Sequence, residues 1–97
     1  MNSIDAAALR EMLATQEDIL LVDVREPWEH EAYNIGGVLY PLHDIARHVQ
    51  DIPKDKKVVI YCRKGIRSVI AIQKLQQKDH FDNLYNLSGG IEAWQET

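Results

Sequence analysis

The sequence predicts an α/β domain built on a mainly parallel sheet. Three observations carry that prediction. Short, wholly apolar runs such as "ILLV" and "VVIY" read as strands covered on both faces. Segments with apolar residues at helical spacing alternate with them, and glycine or proline marks most of the junctions.

In chain order, "DAAALREMLAT" places Ala7, Ala8, Leu9, Met12 and Leu13 at helical spacing, with Ser3 or Asp5 available as the cap. "DILLVDV" is the first buried strand. "EPWEHEAYNIGG" starts at a proline suited to a first helical turn and closes on paired glycines, which predicts a short helix and a turn. "VLYPL" reads as a short strand closed by Pro41, and "LHDIARHVQDIP" as one or two helical turns ended by Pro53. "VVIY" is a β-branched strand, and "IRSVIAIQKLQQK" a helix with Ile66, Val69, Ile70, Ile72 and Leu75 along a wide apolar face. "NLYNL" is the last strand, and "SGGIEAWQET" turns at Gly89 and Gly90 into a short helix.

The 97 residues, 45% of them hydrophobic, suffice for one core, so residues 1–97 are expected to form a single domain. A net charge of −4 offers no basic stripe for phosphates, which excludes nucleic acid as a partner. No run approaches the roughly 20 apolar residues of a membrane span, and the opening "MNSIDAAALREM" lacks the pattern of a secretory signal. A soluble, cytoplasmic protein without membrane partners is the expectation. The single cysteine, Cys62, rules out an intrachain disulfide or a four-cysteine zinc site. His30, His43, His48 and His80 have no ligand spacing among them and read as surface or packing residues, with no metal site. Trp28, Tyr33 and Trp94 read as core or rim aromatics.

The chemistry concentrates in "YCRKGIRS". Cys62 stands between a strand and a helix, at the C-terminal strand end where parallel sheets carry their functional residues, and Asp23 and Arg25 occupy a similar position after "ILLV". A thiol reacts as its thiolate, which here has three sources of stabilisation. A helix starting near Ile66 would aim free N–H groups at the sulfur, Gly65 would let successive amides converge on one point, and Arg63 and Lys64 would draw an anion to the rim. A cysteine ending a strand is commonly just a small core hydrophobe. Three cations and a glycine directly downstream favour chemistry instead, because they would be costly to bury beside it.

These motifs resemble those of the rhodanese family, in particular its small single-domain members. The loop Cys62-Arg63-Lys64-Gly65-Ile66-Arg67, followed by Ser68, is similar to the family's active loop. "LLVDVREPWEHEAYNIGG" looks like its aspartate-x-arginine segment, and "NLSGGIEAW" like its closing segment, so the likeness spans about residues 4–95. The resemblance implies a three-layer domain with a small, mainly parallel five-stranded sheet flanked by helices. It further implies a sulfurtransferase that moves a sulfane sulfur from a donor such as thiosulfate to an acceptor through a persulfide on Cys62, without cofactor. The partners implied are a small anionic sulfur donor and a thiol or protein sulfur acceptor.

Carried onto this sequence, the resemblance makes Cys62 catalytic and makes Arg63, Lys64, Gly65, Ile66, Arg67 and Ser68 the substrate-binding loop. Asp23, Arg25 and Arg67 would hold the loop by ion pairing, with plain solvation of a surface charge the alternative for each. Two departures stand out. Glu29 falls where larger thiosulfate-using members have a second arginine, and Asn34 and Gly37-Val38 change a turn. Two other readings remain open. One is a sulfur-relay domain acting on a protein partner within or beside a larger sulfur-carrier-activating enzyme, with which the chain's end soon after Trp94 is compatible. The other is a cysteine phosphatase of related fold. Such a phosphatase loop has one more residue between cysteine and arginine than the four between Cys62 and Arg67, and the shorter ring suits a single sulfur better than a phosphoryl group.

Overall fold

The computed structural model describes all residues, Met1–Thr97. In chain order the elements are β1 (Asn2–Ile4), α1 (Ala6–Ala14), β2 (Ile19–Asp23), α2 (Pro27–Ala32), β3 (Val38–Leu39), a 3-10 helix (Leu42–Asp51), β4 (Lys57–Tyr61), α3 (Arg67–Lys78), β5 (Leu84–Leu87) and α4 (Gly90–Gln95). The strands form one all-parallel sheet in the order β1-β5-β4-β2-β3. No helix is long and apolar enough to cross a membrane.

The wholly apolar run becomes the central strand because both faces of a parallel sheet are covered. Val58, Val59, Ile60 and Tyr61 of β4 are all fully buried. Successive side chains alternate between faces. Val58, Ile60 and Cys62 pack with Ala71, Ile72 and Leu75 of α3 and Ile45 of the 3-10 helix, whereas Val59 and Tyr61 pack with Leu9 of α1 and Ile91 and Trp94 of α4. Trp94 thus belongs to the core, and Arg10 lies over its ring at 3.9 Å.

Two expectations change and one alternative is resolved. The opening residues form an edge strand, β1, that residue patterning had not revealed: of its three residues only Ile4 is buried, so no apolar run marks it. Asp5 is the cap of α1, accepting from the Ala8 N–H at 2.8 Å, while Ser3 lies within β1. The apolar face assigned to "IRSVIAIQKLQQK" is also shifted. α3 turns Ser68, Ala71, Ile72 and Leu75 inward and leaves Ile66 and Ile70 exposed, because Ile66 precedes the first helical residue beside the loop.

The parallel topology places the C-terminal ends of β2, β4 and β5 side by side. Asp23, Cys62 and Ser88 are therefore delivered to one edge of the sheet.

Candidate functional site

Cys62 follows β4 and is only 1% exposed, so its sulfur forms the floor of the loop rather than its surface. Gly65, at φ +89°, bends the chain back over it. The Gly65 and Ser68 N–H groups donate to Cys62 Sγ at 3.1 and 3.3 Å, and Ser68 Oγ stands 3.4 Å from the sulfur. The amides of Arg63, Lys64, Ile66 and Arg67 find no acceptor within the chain. Cys62, Arg63, Lys64, Ile66 and Arg67 line a pocket of about 260 Å³ over this floor.

The cations of the loop differ in their freedom. Arg63 is exposed and pairs with Glu92 of α4 at 3.1 Å. Lys64 is exposed and has no ion-pair partner. Arg67 is gripped by Glu29 of α2 through two bonds, Nη1 to Oε1 at 2.7 Å and Nη2 to Oε2 at 3.0 Å. Arg67's hydrogen bonds hold the Glu29 carboxyl down at about 2, well below the usual carboxylate range, and the same bonds raise the pKa of Arg67. Glu29 also accepts from the Glu26 N–H at 3.1 Å, closing a capping box that starts α2.

Asp23 and Arg25 form a separate brace. Asp23 is fully buried and accepts from the Arg25 backbone N–H at 3.0 Å, from its Nε at 2.9 Å and from its Nη2 at 2.8 Å. Arg25 Nη2 also donates to the Tyr33 carbonyl at 2.6 Å, beyond the end of α2. Burial opposes the charge on Arg25, but the hydrogen bonds and charge of Asp23 outweigh it and hold its pKa above the ordinary value. Tyr61 lies beneath, its hydroxyl donating to the Gly36 carbonyl at 2.9 Å, and burial pushes its phenol well above the usual range.

The structure therefore gathers Cys62 and the loop through Ser68 around one point, while Asp23 and Arg25 act one step away. They pair with each other and fix α2, and α2 reaches the loop through Glu29. Glu29 is the residue that sequence reasoning had treated only as a departure. The Glu26-x-x-Glu29 spacing of a capping box signals its place at the start of α2, but nothing in the sequence signals its grip on Arg67. His30 is likewise more than surface or packing: its Nδ1 lies 2.9 Å from Asp23 Oδ2, where an ionised carboxylate requires the ring to donate.

Three further contacts come from β5 and α4. Asn86 Oδ1 accepts from the Ser68 hydroxyl. The first amides of α4 close on the loop from behind, with Ile91 N–H donating to the Cys62 carbonyl at 2.9 Å and Glu92 N–H to the Arg63 carbonyl at 3.1 Å. Gly90 is required at this junction: its φ is +59°, and a Cβ there would lie 2.4 Å from the Cys62 carbonyl oxygen. A second pocket, of about 310 Å³, opens between α2 and α4 beside Arg63 and is flanked by Trp28 and Tyr33, both exposed.

A parallel sheet that delivers one cysteine into an amide-lined loop rimmed by cations defines an α/β domain with a single-cysteine strand-end site. Comparison with known proteins gives the class its family. The rhodanese-like domain family matches residues 5–97, and the chain belongs to that family. It is 45% identical over 95 residues to a sulfurtransferase of Allochromatium vinosum, covering 97% of this chain and 88% of that protein. It is 33% identical to the probable adenylyltransferase/sulfurtransferase MoeZ of Mycobacterium tuberculosis, matching 96% of this chain but only 24% of MoeZ. Among solved structures, a rhodanese-related protein from Thermoplasma volcanium superposes with a TM-score of 0.83 at 30% identity, covering 99% of this chain and 92% of that one.

Proposed function

We propose that the protein is a sulfurtransferase that carries a sulfane sulfur as a persulfide on Cys62 and accepts it from a small anionic donor such as thiosulfate. The observation that carries this reading is the convergence of the Gly65 and Ser68 amides on Cys62 Sγ, with further unpartnered amides in the same loop. Donors preorganised around the sulfur favour its thiolate and need no rearrangement as charge moves outward during reaction.

In the first half-reaction the Cys62 thiolate attacks the outer sulfur of the donor. The sulfur–sulfur bond of thiosulfate breaks, sulfite leaves with the electron pair, and Cys62 holds a terminal sulfur as Cys–S–S⁻. The amides of Arg63, Lys64, Ile66 and Arg67, which have no acceptor within the chain, are the groups available to that added charge. Lys64, the unpaired cation at the mouth, attracts the donor. In the second half-reaction a thiolate or cyanide attacks the terminal sulfur, a new bond to the acceptor forms, and the Cys62 thiolate is released. Because the sulfur lies on a buried floor, both partners must present a narrow end through the pocket.

A protein acceptor is the second reading. Likeness to MoeZ, of which this chain spans about a quarter, favours it, as do the exposed Trp28 and Tyr33 beside the site. A phosphatase reading is disfavoured because both terminal nitrogens of Arg67 are engaged by Glu29 and do not aim at a phosphoryl group over the sulfur. The test is thiocyanate formation from thiosulfate and cyanide, run beside phosphate release from an aryl phosphate. Thiocyanate formation that disappears in Cys62→Ser, with no phosphate released, is the expected result. Phosphate release without thiocyanate formation would overturn the reading. Lys64→Ala should raise KM for thiosulfate severalfold with little change in kcat, the pattern of a lost binding contact.

A further inference from the structure

The inner face of β5 breaks the sheet's apolar pattern at one place. Leu84 points into the core with α3 and is 2% exposed, and Asn86, two residues on and so on the same face, is 7% exposed yet carries an amide. A buried polar group in a core strand is costly unless its partner repays the desolvation. Its partner here is Ser68, which is itself fully buried and whose Oγ stands 3.4 Å from Cys62 Sγ. Three side chains from the end of β4, the first turn of α3 and the middle of β5 thus form one short line ending at the sulfur.

Hydrogen counting makes the line directional. The Ser68 hydroxyl has one proton and two neighbours. With the Asn86 carbonyl facing it, as in this structure, that proton is committed to Asn86, and Ser68 can only accept from a Cys62 S–H. If the amide turns over, its NH₂ donates to Ser68 Oγ, and the hydroxyl proton is free to join the Gly65 and Ser68 amides as a third donor to the thiolate. In the orientation observed, Asn86 Nδ2 lies on the Gly65 side, 3.7 Å from the place a Cβ would occupy there, so turning the amide over only exchanges nitrogen and oxygen between two positions already filled.

We infer that Asn86 is a positioning residue that, through the Ser68 hydroxyl, sets whether the Cys62 sulfur meets a hydrogen-bond donor or an acceptor, and so couples the loop's polarity to the charge on the sulfur. The inference rests on the reading of Cys62 as the reactive thiolate. The fixed charges around the sulfur are unaffected by the amide's orientation: Arg63 and Arg67 on the loop, Glu29 on α2, Asp23 on β2 and Glu92 on α4 keep the partners described above, and Lys64 stays unpaired.

The test is alkylation of Cys62 by iodoacetamide as a function of pH, which needs no sulfur donor and so stands apart from any failure of persulfide formation. Ser68→Ala removes the third donor, and Asn86→Asp, which can only accept, locks the hydroxyl away from the sulfur. Each should slow alkylation about tenfold at neutral pH and recover at alkaline pH, because the deficit is in thiolate. In the double variant the two effects should fall well short of multiplying, since both act through one hydroxyl. In the wild type, the Asn86 side-chain amide resonances should move with the pH dependence of alkylation, and should cease to do so in Ser68→Ala. This measurement holds even where Asn86→Asp does not fold. Independent, fully multiplying effects, or Asn86 resonances that ignore the state of Cys62, would overturn the inference.

Discussion

Cys62 meets two demands that ordinarily conflict. As the residue after a core strand it is packed with Ile60 and Ala71, and in the proposed reaction it must hold charge. Backbone amides reconcile the two, because they supply donors without exposing the sulfur. The loop's side chains are fixed from elsewhere, above all by Glu29 on Arg67. Glu29 titrates near 2 when folded and near its ordinary value of 4.5 when unfolded. Its folded pKa is depressed, so the pair stabilises the protein fully above about pH 4.5, and the contribution is lost as pH falls from there towards 2. Glu29→Gln keeps an acceptor for the Glu26 N–H but loses the charge. It should cost about 1 to 3 kcal/mol at neutral pH, discounted for the partial exposure of Arg67, with the gap from wild type closing below pH 4.5 in urea titrations. The gathering of the loop around Cys62 was legible in the sequence because the residues are contiguous. Glu29 and Asn86 were not, because their partners stand 38 and 18 positions away.

Helix starts do most of the work of assembling the site. α3 contributes the Ser68 amide and hydroxyl, while α4 donates its first free amides to the carbonyls of Cys62 and Arg63, holding the loop from behind. The glycine pair of "SGGIEAW" is explained by that contact, since α4 begins too close to the loop for a side chain at Gly90. Gly90→Ala should destabilise by about 2 kcal/mol or more, combining a left-handed backbone penalty with displacement of the loop. It should also slow persulfide formation at temperatures where circular dichroism shows the protein folded. A normal loading rate in the folded variant would show that α4 does not shape the loop. The existence and order of the helices could be read from periodicity, but which face α3 buries could not. An apolar count gave Ile66 and Ile70 weight that the start of the helix at Arg67 denies them.

The molecule as a whole is held by a central strand buried on both faces, with the site at one edge of the sheet. Ile60→Ala, which opens a cavity between β4 and α3, should cost about 3 kcal/mol by urea denaturation. Trp28→Ala, at a side chain 70% exposed beside the second pocket, should stay within about 0.5 kcal/mol of wild type. An equal loss in both would contradict the placement of the core. The alternation of buried strands and helices carried the α/β architecture and its parallel sheet, since a strand covered on both faces leaves an unbroken apolar run. The edge strand β1 escaped because an edge needs only one buried side chain, Ile4, and "MNSI" has no other signal. The proposed chemistry takes place at a single atom, Cys62 Sγ. Incubating the protein with thiosulfate and recording its intact mass should show the addition of one sulfur to the wild type, removed by a thiol and absent in Cys62→Ser. An unchanged wild-type mass with every sulfane donor tried, or an equal gain in Cys62→Ser, would contradict it.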